Sequence, residues 1–316
     1  MKILSESEVE ALVSVEELFD KVAEAFKTLS LGELLMPPRE RIRVEGFGDI
    51  LLMPCLAQSL GVFSLKVVSV YPRNIELGLP TTNAAVLVVN PENGVPELVA
   101  EAKALTGLRT AAATALSVRY LARRDASRLG IIGCGYQAGW QLKITSRVMK
   151  TEQILVHDLY RERAERLADE FRARTGIDVR VCLNAQELVE ACDVIITATT
   201  SKTPVVWKDW VRPGTHISAI GAYTPEMAEI DPRVLASAKL VVDSLKAARE
   251  EAGDIIQAVN AGLIRWDNVY GEIGEIIAGR KPGRLREDEV TVFKTVGTAA
   301  QDAAVASILL SKTRSR

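Results

Sequence analysis

Helical spacing opens the chain. Ser5-x-x-Glu8 and Ser14-x-x-Glu17 both have capping-box spacing, in which a serine hydroxyl and a glutamate three residues on satisfy each other's backbone donors. After the second, Val15, Leu18, Phe19, Val22, Phe26 and Leu29 recur at helical intervals, which predicts an amphipathic helix ending near Gly32. From Arg39 to Glu101 the pattern shortens to the apolar or alternating runs "ILLMP", "GVFSLKVVSVY", "AAVLVVN" and "VPELVAE". These read as strands, with "PENG" at 91–94 as the turn between the last two. Residues 106–122 return to an alanine-rich helix.

From Leu129 strands alternate with helices. "LGIIG", "QILVHD", "VRVCL", "DVIITAT", "HISAIG" and "KLVVDS" are near-continuous apolar runs, as expected for a parallel sheet covered on both faces. A last Ala/Val-rich helix, about 297–311, lies beyond that sheet and is expected to pack back onto the first domain. The fold class is α/β, with a Rossmann unit at 116–294 and a second domain made of 1–115 and 295–316. A chain of 316 residues is long enough for two cores.

Composition narrows the class. Hydrophobic residues make up 48% and mean hydropathy is +0.11, ample for packed interiors. A net charge of −2 gives no reason to expect nucleic acid as a partner. The basic stretches at 119–128 and in the "SKTRSR" tail are short, and read as a solvated helix end and a frayed terminus. The start, "MKILSESEVEALV", lacks the apolar core of a signal peptide, and no run of 18 apolar residues offers a membrane span. Cys55, Cys134, Cys182 and Cys192 form no C-x-x-C pair, which excludes the usual zinc and disulfide patterns and points to a reduced, cytoplasmic compartment.

The stretch "RLGIIGCGYQAGWQLK" (128–143) carries the first chemistry. It follows a strand, opens a helix, and is followed by a second strand ending in Asp158, 23 residues after Gly135. That context makes G-x-G-x-x-A a dinucleotide fingerprint. Gly133 allows the tight turn, Gly135 lets the backbone approach a pyrophosphate, and Ala138 permits close helix–sheet packing. The helix start, with Tyr136 and Gln137, turns its amides toward the phosphates. A carboxylate at Asp158 accepts from both ribose hydroxyls and repels a 2′-phosphate, so NAD(H) is favoured over NADP(H), although Arg161 and Arg163 stand nearby. Thr197 and Thr199, in "TATTS", fall at the carboxyl edge where dinucleotides lie, and fit ordinary turn chemistry equally well.

With only His157 and His216 available, a histidine mechanism has little room, and both read as structural or surface residues. Isolated cations stand out instead. Lys66, inside "GVFSLKVVSV", is either on a solvated face or buried and functional. Arg109 is expected in the first turn of its helix, where a cation opposes the helix dipole and hints at a bound anion, with a surface position the alternative. Arg39 follows two prolines in a stiff segment. Three separated cations and a dinucleotide site point to a carboxylate-bearing substrate held against a nicotinamide ring.

The segments "MPPRERI", "LKVVSVYPRN", "GLPTTNAAVLV", "ALTGLRTAAATALSVRYLA", "GIIGCGYQA", "PGTHISAIGAYTPEMAEID" and "FKTVGTAAQD" follow one another in this order. In them the chain resembles the ornithine cyclodeaminase/mu-crystallin family, from about residue 4 to about 312. The resemblance implies a homodimer whose protomer joins a Rossmann domain to an α+β substrate-binding and dimerisation domain. It implies hydride transfer between nicotinamide and the α-carbon of a small amino or imino acid. By motif match Arg39, Lys66 and Arg109 resemble its carboxylate-binding cations, Lys66 being the expected catalytic residue, and Thr110 resembles a cofactor contact. Two positions depart from particular members. Tyr223 stands where cyclodeaminases carry an aspartate, and a phenol of pKa about 10 is no substitute base near neutrality. Leu51 stands where the archaeal alanine dehydrogenase pattern has an arginine. The expected activity is therefore that of a ketimine or cyclic-imine reductase or an amino-acid dehydrogenase. The alternatives are an ammonia-releasing ornithine cyclodeaminase and a weakly catalytic protein that binds NAD(P)H and small carboxylates.

Overall fold

The structure, a computed structural model, describes residues 1–314; Ser315 and Arg316, the end of the basic tail, lie outside the described residues. In chain order the elements begin with β1 (Lys2–Leu4), α1 (Glu6–Leu12), α2 (Val15–Ser30), β2 (Glu40–Val44), β3 (Gly48–Ala57), β4 (Val62–Val70), β5 (Thr82–Val89), β6 (Pro96–Glu101) and α3 (Lys103–Leu121). Next come β7 (Arg128–Ile132), α4 (Tyr136–Thr145), β8 (Gln153–His157), α5 (Arg161–Thr175), β9 (Asp178–Val181), α6 (Ala185–Ala191), β10 (Val194–Thr197) and β11 (His216–Ala219). The chain ends with α7 (Pro232–Ser237), β12 (Lys239–Val242), α8 (Leu245–Glu251), α9 (Gly253–Asn260), β13 (Val269–Glu272), α10 (Ile273–Ile277), β14 (Thr291–Lys294) and α11 (Ala299–Arg314). These form two compact units, with divisions after Arg109, inside α3, and after Gly297.

The first unit is a six-stranded sheet in the order β1-β6-β5-β4-β3-β2, antiparallel except for the β1–β6 pair. Strand alternation separates its faces. Met53, Cys55, Ser64, Lys66, Val86 and Val88 are buried on one face, whereas neighbours such as Leu65, Val67 and Ala85 stay partly or fully accessible on the other. Helix α11 packs on α2, β3 and β4. It is buried on nearly every side, so it reads as an apolar run rather than an amphipathic stripe. The Ser14 hydroxyl accepts the Glu17 amide at the start of α2, which buries Leu18, Val22, Ala25 and Phe26.

The second unit is an eight-stranded parallel sheet in the order β13-β12-β14-β11-β10-β7-β8-β9. Six of these strands are legible as apolar runs. Two were not: β13 and β14 lie in 269–294, a region dense in charge and glycine, and β14 inserts between β11 and β12 with all four residues buried. Their residues, VYGE and TVFK, bring glycine or charge into the strand itself and lie within a charge-rich stretch, so neither stands out as an apolar run. The strand order reverses direction between β7 and β10, the switch point at whose carboxyl edge doubly wound sheets bind their ligands. Among the described residues no helix is long and apolar enough to cross a membrane.

Candidate active site

In the first unit, Lys66 on β4 is 1% exposed. Its Nζ lies 2.8 Å from Asp302 Oδ1 and 2.7 Å from Oδ2. Arg109, also buried, brings Nε to 3.2 Å from Asp302 Oδ1, and its Nη1 donates to Gln301 Oε1 at 3.3 Å. Gln301 Oε1 also accepts the Thr298 amide at 2.7 Å. Arg109 stands in the second turn of α3, not the first, because the helix begins at Lys103. At that depth the helix dipole acts on it only weakly, and what sets Arg109 apart is its burial beside Lys66 and Asp302. Asp302 occupies the first turn of α11, where the helix dipole favours a negative charge.

Two buried cations face one carboxylate, so the cluster carries a net positive charge, and Arg39 adds to the field at Lys66. An interior that strips water from such groups favours whatever anion completes the balance. Burial pulls the Lys66 ammonium down to about 8; Asp302 resists the shift, and the Arg109 charge adds to it. A lysine of that basicity can hold or release a proton near neutrality.

Sequence reasoning missed Asp302 and Gln301. The signal was there, because a carboxylate inside "AAQDAAVASILL" is as anomalous as a lysine inside "GVFSLKVVSV". What the sequence hides is that residues 236 positions apart meet.

In the second unit the glycine loop leaves β7 and enters α4. Gly133 has φ +94°, and a Cβ there would lie 2.6 Å from the Ala198 carbonyl oxygen, so only glycine fits. Gly135 caps α4, and a Cβ on it would meet nothing within 4 Å. Ala138 is fully buried under the helix. Asp158, just past β8, accepts the Cys134 amide at 2.7 Å through Oδ2 and the Tyr160 amide at 2.9 Å through Oδ1. It thus ties the glycine loop to the neighbouring strand end. Gln137 Oε1, in the first turn of α4, and Thr197 Oγ1, at the end of β10, are buried without a hydrogen-bond partner. The Thr197 hydroxyl can donate or accept, whereas Gln137 Oε1 only accepts, so a dinucleotide's ribose hydroxyl and not its phosphate could complete the Gln137 oxygen. Thr199 instead directs its hydroxyl to Glu229 at 2.9 Å, and Thr110 is buried on α3. Tyr136 is 43% exposed at the mouth of the loop.

The histidines do no visible chemistry. His216 is buried, with Nδ1 2.8 Å from Thr291 Oγ1 and Nε2 3.1 Å from both Ser117 and Ser218 Oγ. Burial, with the Arg284 charge behind it, drives its pKa down to about 3 and keeps the ring neutral. A cleft of about 710 Å³ opens at the amino edge of the same sheet, around Lys239, Tyr270 and Glu289. Its lysine is already held by the Gly283 carbonyl at 2.6 Å and Glu289 at 3.0 Å, and it lies at the edge opposite the glycine loop.

A Rossmann sheet with an open glycine loop, in a chain that also buries a cationic cluster, defines a dinucleotide-linked protein of small anionic substrates. The chain matches the ornithine cyclodeaminase/mu-crystallin family over residues 1–316 and belongs to it. It is similar to the alanine dehydrogenase of Archaeoglobus fulgidus, at 40% identity over 99% of this chain and 95% of that one. Among solved structures it resembles Thermococcus litoralis Delta(1)-pyrroline-2-carboxylate reductase in complex with NADH and L-proline. There the TM-score is 0.96 at 38% identity, covering 100% of this chain and 98% of that one. It also resembles an archaeal alanine dehydrogenase dimer with bound NAD, with a TM-score of 0.93 at 40% identity over 99% and 96% of the two chains.

Proposed function

We propose that this chain is an NAD(H)-dependent oxidoreductase that reduces a small α-imino acid, cyclic or formed from a 2-oxo acid and an amine, or oxidises the matching amino acid. The observation that carries this reading is the Lys66–Asp302–Arg109 cluster, a buried, net-positive set in which one cation has a pKa near working pH. The relatives named for pyrroline-2-carboxylate reduction and alanine dehydrogenation support it. The first unit is the substrate-binding and dimerisation domain, and the second the dinucleotide-binding domain.

The residues divide the work by charge. Arg109 and Arg39 hold the substrate carboxylate, Arg109 through its planar guanidinium. Lys66 Nζ passes a proton to the imine nitrogen as hydride reduces the carbon, giving the amine, and takes the same proton back from that nitrogen when the amine is oxidised to the imine. Asp302 keeps Lys66 and Arg109 side by side despite their like charges. Nicotinamide, when bound, supplies or accepts the hydride. Gly133, Gly135, Tyr136, Gln137 and Ala138 hold the pyrophosphate, while Thr110, Thr197 and Thr199 line the remainder of its site. Asp158 takes the adenine ribose. Arg161 is paired with Glu165 at 2.8 Å and Arg163 stacks on Tyr160 at 4.5 Å, so the arginines that could accept a 2′-phosphate are otherwise engaged, which supports NAD(H).

The protein acts as a homodimer in the cytoplasm. Exposed Ile42, Phe47, Val67, Ile75 and Leu77 in the first unit supply an apolar surface for a second copy, and the related dimer supports this. The test is oxidation of NADH and of NADPH against Δ1-pyrroline-2-carboxylate, Δ1-piperideine-2-carboxylate, and pyruvate with ammonia or methylamine. Turnover of at least one, faster with NADH, is expected. Cofactor binding without turnover of any would sink the reading in favour of a binding protein. Ammonia release from ornithine with no net change in NADH would replace it with a cyclodeaminase.

A further inference from the structure

Glu229 lies past β11 in the second unit and is fully buried. Its carboxylate gathers four donors from two loops. Oε1 accepts the Thr199 amide at 2.7 Å and the Thr199 hydroxyl at 2.9 Å; Oε2 accepts the amides of Gly221 at 2.7 Å and Ala222 at 3.2 Å. Those loops follow β10 and β11, on the side of the switch point away from Asp158. Gly221 is pressed so close that a Cβ would lie 2.2 Å from the Thr199 carbonyl oxygen and 2.4 Å from Glu229 Oε1. Behind Glu229 stands a second ionic layer. Asp254 Oδ1 accepts the Glu229 and Ile230 amides at 2.6 and 2.9 Å, and its Oδ2 pairs with Lys294 at 2.8 Å.

Four donors converging on one side chain require an acceptor-only group. An amide in its place would turn its own N–H hydrogens on two of them. Burying a charge is costly, and here the charge sits under ligand-edge loops rather than in a core that hydrophobic residues could fill. Because trans peptides are planar, drawing the N–H groups of Gly221 and Ala222 inward turns the carbonyls of Ile220 and Gly221 the opposite way, as acceptors. The adenine ribose belongs to the β8 end and the pyrophosphate to the glycine loop, so the half of a dinucleotide lying toward β10 and β11 is the nicotinamide half, whose carboxamide is a donor.

We infer that Glu229 is a positioning residue for the nicotinamide half of the cofactor, acting through the loops at Thr199 and at Gly221–Ala222, with Asp254 and Lys294 holding it in register. The inference rests on the dinucleotide reading above. It separates the two halves of the cofactor, and so it is tested by binding. In Glu229→Gln, the Kd for NADH should rise about tenfold or more while that for ADP-ribose, which lacks the nicotinamide, stays within about twofold. Asp254→Asn, which leaves the four donors to the Glu229 carboxylate in place and disturbs it through its backbone amide and the Lys294 pair, should show the same split to a smaller degree and serves if the first variant fails to fold. Equal weakening of both ligands together with a lower Tm would overturn the proposal in favour of a purely structural carboxylate. Unchanged NADH binding in both variants would overturn it as well. Wild-type protein that bound neither ligand would remove the dinucleotide reading itself, and this inference with it.

Discussion

The two units hold charge in opposite ways. In the second, the glycine loop works with backbone: amides at the start of α4, a glycine at φ +94°, and Asp158 tied to the loop by the Cys134 amide. In the first, the work falls to long side chains, Lys66, Arg109 and Asp302, drawn from three elements far apart in the chain. A backbone site needs a short contiguous stretch with particular torsions, so it leaves a motif. A side-chain cluster needs only single residues at the right places in three dimensions, so it leaves isolated anomalies. The lesson is to treat every charge inside an apolar run as one member of a set whose other members must also be sought.

Damaging one site and watching the other tests whether the two work independently. The largest effect should come from Lys66→Met, which removes the proposed proton source; kcat should fall about 1,000-fold, within the usual range for lost general acid–base catalysis. Titration with NADH should give an almost unchanged Kd. A matching loss of cofactor affinity would show that the two sites are not separable. Gly133→Ala is the converse. Its Cβ meets a backbone carbonyl in a torsion that non-glycine residues avoid, and about 1–3 kcal/mol of strain should weaken NADH binding roughly 5- to 150-fold. Saturating NADH should restore most of kcat if the cationic cluster is untouched.

Smaller effects sharpen the contrast. Asp158→Ser removes the carboxylate proposed to take the ribose, and the NADPH/NADH ratio of kcat/KM should rise about tenfold, the scale of one charge-assisted hydrogen bond. A ratio that does not move would mean that cofactor choice is made elsewhere. The mildest test is pH. Reduction needs Lys66 protonated, so its rate should be level below the lysine pKa of about 8 and decline above it, whereas amino-acid oxidation should rise through the same window and then level off. Profiles in which both directions move the same way would exclude Lys66 as the proton carrier.

Much of the architecture was legible because period and context repeat. The capping serines of α1 and α2, the alternating strands of the first sheet and six strands of the second all carry local patterns. Strands β13 and β14 did not, since VYGE and TVFK carry glycine or charge within the strand and sit in a charge-rich stretch that hides any apolar run. Arg109 shows how a local argument can misplace its cause. Its interest comes from burial against Asp302 and not from the helix end.

By itself the sequence determined the parts whose physics is local: where helices start, where strands alternate, and where a glycine turn opens onto a helix N-terminus. It also determined the isolation of Lys66 and Arg109 as cations in apolar surroundings. Only the tertiary structure decided that Lys66 is interior, that Asp302 is its counter-charge, and that Glu229 gathers two loops into one carboxylate. The reason is physical. Torsional preference and hydrophobic period are written over a few neighbouring residues, whereas the desolvation and pairing of a charge depend on which distant segments pack around it.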